Sequence, residues 1–265
     1  MVESEAAVVL QMFTMTERHM RLLPAFFTQD VALFRFRGTR RMCVAEEVFG
    51  EGDHIGVWVR GRFPGYDNSF KGKRQYCFEH LKRDCRELLE KEPQNAECQK
   101  FVPAFASLLR EAMQLRGRGL EDGDYHDEAK RIRNEMLKTI NAQAKDPGLQ
   151  KCQDIFRRHP KRIFQWTENR SVPAEDNMSE RGVRRTVIAR KVCGGSQSKD
   201  ALMVREILQS VVESLRLRCA DPVAKLTEAL DAYAMDPGVC IPDLLFPLPT
   251  HKAELSRRRE GARRV

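Results

Sequence analysis

The hydrophobic period of the chain changes at Cys77, and that change limits the fold more than any other feature. Before it, apolar residues come in short runs. "DVALFRF" (Asp30 to Phe36) alternates as a strand does, and "IGVWVRG" (Ile55 to Gly61) is the β-rich run of a buried strand. After it, Phe78, Leu81, Cys85 and Leu88 step by three, four and three, so "CFEHLKRDCRELLEK" predicts an amphipathic helix. Helical spacing then continues through Phe101, Phe105, Leu108 and Ala112, and through Ala129, Ile132, Met136 and Ile140, as far as Trp166. Strands followed by a long helical stretch predict an α/β fold, with a sheet core that carries a helical insertion.

The flanks are read in the same way. "AAVVLQMF" fits either a strand or half a helix, Val44 to Phe49 predicts a short helix, and "RFPGYDNSFKGK" is a loop. Beyond Ser196, Ala201, Val204, Leu208, Val211 and Leu215 form one apolar stripe. Asp221 and Pro222 then start a helix whose Val223, Leu226, Leu230 and Tyr233 are expected to face inward. The division expected is 1–30, a remnant of the first core strands; 31–99, core strands and a helix; and 100–166, the helical insertion. Residues 167–235 then supply C-terminal core helices, and 236–265 a proline-broken, arginine-rich tail expected to be disordered.

Lys and Arg number 46 against 38 Asp and Glu, a balance that favours a polyanionic partner such as nucleic acid. Eight cysteines are scattered without a CxxC pair, and the opening "MVESEAAVVLQMFTMTERHM" lacks the pattern of a secretory leader. No run approaches the roughly 18 apolar residues that span a bilayer. A cytoplasmic chain with reduced thiols is therefore expected.

The basic segment "AEDNMSERGVRRTVIARKVCGGSQS" places one carboxylate, Glu180, ahead of Arg181, Arg184, Arg185, Arg190 and Lys191. Asp176, Asn177 or Ser179 suits the start of a helix there, and Arg184 lies within i,i+4 reach of Glu180. One reading is a capped helix with an intrahelical ion pair, and the other is a metal-assisted nucleic-acid site.

The wider run "VPAEDNMSERGVRRTVIARKVCGGSQS" resembles the C-terminal signature of insertion-sequence sixty-six family transposases, typically "vPptNNaAERaLRpavvaRKvsGGsrS". Upstream, "CFEHLKRDCREL" is similar to the family's "CwaHLlRDlrEL", matching at Cys77, His80, Leu81, Arg83, Asp84, Arg86, Glu87 and Leu88. The resemblance implies a ribonuclease-H-like core, here incomplete at its N-terminal strands, with a helical insertion and C-terminal helices. It implies a DNA transposase whose Asp-Asp-Glu (DDE) triad holds two divalent ions, Mg²⁺ or Mn²⁺, for phosphoryl transfer at element ends. By position Glu180 becomes the catalytic glutamate and metal ligand, while Arg181, Arg184, Arg190 and Lys191 become DNA-phosphate contacts. Expected partners are element-end DNA, further copies of the chain and other element-encoded proteins. The expected place is a prokaryotic cytoplasm, at the nucleoid when DNA is bound.

The chain departs from the family where the two aspartates belong. The second falls on Gly61 and the first near Leu10, with Asp53 and Asp67 as candidate substitutes. A truncated or degenerate copy of the catalytic domain is the expectation, unable by itself to cut or join DNA. The alternative is a non-catalytic DNA-binding protein derived from a transposase. Cys77 and His80, with Cys85 nearby, invite a zinc reading, but no second pair completes four ligands. They are read as a half-buried histidine and two core-facing thiols.

Overall fold

The computed structural model describes residues 7–13, 23–37, 43–50, 56–62, 72–196 and 198–247. Five strands form one mixed sheet: β1 (Ala7–Phe13), β2 (Leu23–Phe27), β3 (Ala32–Phe34), β4 (Val57–Arg60) and β5 (Lys73–Tyr76), ordered β3-β2-β1-β4-β5. β1 pairs antiparallel with β2 (Val9 opposite Phe27) and parallel with β4 (Val9 opposite Val59). The first segment, expected as a remnant of the first core strands, is thus the centre of the sheet. "AAVVLQMF" lacks alternation because a central strand of a two-sided sheet reads as a continuous apolar run.

β5 was not expected at all, since "KRQY" is polar. It joins the sheet beside β4 by burying Gln75 with its amide satisfied. That amide donates to the Ile163 carbonyl at 2.9 Å and accepts from the Trp166 N–H at 3.3 Å.

Both faces of the sheet are covered. On one, α1 (Cys43–Phe49) brings Phe49 against Phe26 and Trp58, with ring centroids 5.1 and 5.4 Å away. Phe27, Val57 and Val59 form the opposite core with Val172 and with Val183 of α7 (Asn177–Cys193). A second core lies within α2 (Phe78–Lys91), α3 (Ala96–Leu115), α4 (Asp122–Asn141), α5 (Pro147–Arg158) and α6 (Gln165–Glu168). Ala129, Ile132, Met136 and Ile140 are all buried there, as their spacing predicted.

α8 (Lys199–Arg218) departs from its pattern. Val204 is 52% and Leu208 55% exposed, and of the expected stripe only Leu215 is buried. A polar row faces the sheet instead: Ser214 Oγ accepts from the Ala32 N–H at 2.9 Å, Ser210 Oγ from Phe34 at 3.0 Å, and Glu206 from Phe36. Spaced by four, these residues saturate the open edge of β3, and that need outweighs burial of the apolar stripe.

α9 (Pro222–Met235) begins as expected, with Asp221 accepting from the Ala224 N–H. Val223, Leu230 and Tyr233 nevertheless face solvent, while Ala229 and Leu226 pack in a small cluster with Leu215 and Leu245. Within the stretch expected to be disordered, α10 (Ile241–Leu245) is a short helix with Leu245 buried. Residues 248–265 of that tail, and 63–71 of the expected loop, lie outside the described residues. No described helix is long and apolar enough to cross a membrane.

Candidate functional site

Glu180 stands in the first turn of α7, the helix that packs across β1 and β2. The close approach is made at Gly182: the ring of Phe27 occupies the space that a Cβ there would need. Glu180 is half-buried, and among the described residues it makes no ion pair with Arg184 or any other cation. Arg181, Arg184 and Lys191 are exposed and Arg190 is half-buried, again without an ion pair among the described residues. Positions 181, 184, 188 and 191 recur along one face, so three of these cations line the solvent side of the helix. Arg185 is drawn out of that row by Glu213 of α8, which its Nε reaches at 2.9 Å.

Asp176 occupies the N-cap position of α7, yet its carboxylate caps nothing. It turns instead toward the start of α2. Cys77 Sγ donates to its Oδ1 at 2.8 Å, and His80 Nδ1 lies 3.9 Å from the same oxygen, too far for a hydrogen bond. Backbone bonds fix this meeting, since Cys77 N–H donates to Arg60 O at 2.8 Å and Phe78 N–H to Ala174 O at 2.9 Å. Cys77 and Asp176 are buried, whereas the His80 side chain is 31% exposed. Burial, followed by the nearby Asp176, pushes the Cys77 thiol well up. Burial also drives the Asp176 carboxyl up to about 6, opposed by the Cys77 bond and His80 and assisted by Glu180 and Glu175. Two polar atoms here are buried without a hydrogen-bond partner: His80 Nδ1 and Asp176 Oδ2.

His80 also reaches the end of β4. A Cβ on Gly61 would stand 3.3 Å from the His80 Cδ2 and Nε2 atoms. The parallel register that sets Val9 beside Val59, carried one step on, brings Leu10 beside Arg60. The two places assigned to aspartates thus fall in β1 and just past the end of β4, and neither residue is acidic. Asp53 and Asp67 lie outside the described residues. Two hard cations need several carboxylate oxygens between them, and Gly61, with an imidazole against it, offers none. Among the described residues, neither position assigned to an aspartate supplies a carboxylate.

What the fold does assemble is a mixed donor set. One ligand atom each from Cys77, His80 and Asp176 lies within 4.8 Å of the others. The half-buried histidine and buried thiols read from the sequence are all found. The missing member was Asp176, 99 residues from Cys77, and it read as a helix cap. Its one sequence signal is that Asp stands where the similar run has Asn.

The model of the family described as Transposase IS66 family matches residues 10–203, from within β1 into the first turn of α8. No curated protein and no solved structure matches the chain.

Proposed function

The chain belongs to the IS66 family of transposases, and on that premise we propose that it is a DNA transposase of an insertion-sequence element with an impaired catalytic centre. Membership implies DNA as partner and divalent-metal chemistry in general. The finer reading is that α7 meets the phosphates of element ends through Arg181, Arg184, Arg190 and Lys191, beside Glu180 as the remaining acid of a DDE triad. One observation carries it: a half-buried carboxylate without an ion-pair partner among the described residues begins the helix whose solvent side bears unpaired cations. The sheet order, with β2 antiparallel to both of its neighbours and β1, β4 and β5 parallel to one another, supports a ribonuclease-H-like core.

Impairment is proposed from Gly61 and Leu10, which stand where the aspartates belong. The non-catalytic alternative, a DNA-binding protein derived from a transposase, rests on the same surface. Self-association, other element-encoded partners and a nucleoid location belong to the first reading.

Both readings are tested with the purified chain, Mn²⁺ and duplex DNA bearing the element's terminal repeats. The expected result is salt-sensitive binding without nicking, and Arg184→Gln should reduce the salt slope by about one. Robust nicking that Glu180→Gln abolishes would overturn the impairment. Indifference of binding to every α7 cation would overturn the DNA interface.

A further inference from the structure

We propose that Cys77, His80 and Asp176 bind a single zinc ion, an inference that does not depend on the transposase reading. A thiolate, an imidazole nitrogen and a carboxylate oxygen are the donor types that zinc combines, and three protein ligands with one open position form a recurrent arrangement. Zinc bonds of about 2.0–2.3 Å bring tetrahedral ligand atoms to roughly 3.3–3.8 Å from one another. The three atoms already lie within 4.8 Å, so rotation of side chains suffices.

The two buried orphan atoms give a second, independent indication. His80 Nδ1 and Asp176 Oδ2 were taken out of water and given no hydrogen-bond partner. Such groups are destabilising as they stand, and they cease to be so when a cation lies between them. The partly exposed His80 leaves a path for the ion and a place for water as fourth ligand. The thiol that now donates to Asp176 would lose its proton to solvent as the Zn–S bond forms, and the helix starts at Cys77 and Asp176 favour the resulting anions. Two anionic ligands balance the charge of the ion.

The placement has a structural effect. Cys77 and His80 stand where the helical block begins, and Asp176 where it ends. An ion there closes that block at its base.

The test uses the full chain, stripped of metal with a chelator and titrated with Co²⁺ as a spectroscopic probe. One Co²⁺ per chain is expected, with a thiolate-to-cobalt charge-transfer band and tetrahedral d–d absorption, both displaced by Zn²⁺. Cys77→Ser should remove the charge-transfer band while circular dichroism reports an intact fold. Asp176→Asn should weaken binding at least tenfold, and Cys85→Ser should leave the spectrum unchanged. An absent band, a band that survives Cys77→Ser, or one that disappears in Cys85→Ser would overturn the site.

Discussion

At the scale of single residues, Asp176 decides the most. In the metal-free chain its carboxyl titrates near 6 instead of near 3.8, so the folded state binds its proton more tightly than the unfolded state does. Stability from this group is therefore fully present below about 3.8 and is lost as pH rises through about 6. At neutral pH the buried charge costs about 3 kcal/mol. Asp176→Asn should accordingly raise the melting temperature at pH 8 in chelator, with the gain vanishing near pH 4. Thermal melts at the two pH values check this, and a gain of equal size at both would refute it. The zinc-dependent rise should be lost in the same variant, so one substitution moves apo and metal-loaded stability in opposite directions. Little of this was legible beforehand. The residue was read as a candidate cap, because its meeting with Cys77 is made by tertiary structure and not by local spacing.

At the scale of elements, periodicity was a good guide where a helix packs through apolar contact and a poor one where it packs through hydrogen bonds. α4 buries all the residues its spacing singled out and α2 buries three of its four, with Leu88 half-buried, while α8 turns Glu206, Ser210 and Ser214 to the sheet. Val204→Glu together with Leu208→Glu should therefore change unfolding free energy by no more than about 0.5 kcal/mol per site. Ser214→Ala, which strands the buried Ala32 N–H, should cost about 1–3 kcal/mol. Chemical denaturation of both variants separates the two faces, and the reverse ranking would restore the apolar face to the core. α7 offers a third case. Gly182→Ala drives a methyl group into Phe27, so a loss of about 1–3 kcal/mol is expected despite the gain in helix propensity. β5 escaped the reading for a related reason, since its inward amide carries no apolar signal.

At the scale of the whole molecule, two cores divide the chain more sharply than the sequence suggested. The helical core is drawn entirely from Tyr76 to Ala174, so α2, first grouped with the strands, belongs to the helical block. The sheet core draws on Ala25 to Val59 and resumes at Val172. Cys85, Cys98 and Cys152 are buried together in the helical core, whereas Cys43, Cys193 and Cys240 are exposed. Under native conditions a thiol reagent should modify the exposed three first. With denaturant, Cys85, Cys98 and Cys152 should become reactive at one common concentration, and labelling spread over separate transitions would argue against a single cooperative core. The order of elements made a helical block after the strands legible; its limits were not, because they depend on which side chains share a core. The hydrogen bond from Phe78 to Ala174 joins the first residue of α2 to the last residue of the helical core. A host sheet that opens at one point and closes at the same point tolerates exchange of its guest. A short linker across that bond is the natural place for an engineer to lengthen, shorten or replace the helices while the strands stay as they are.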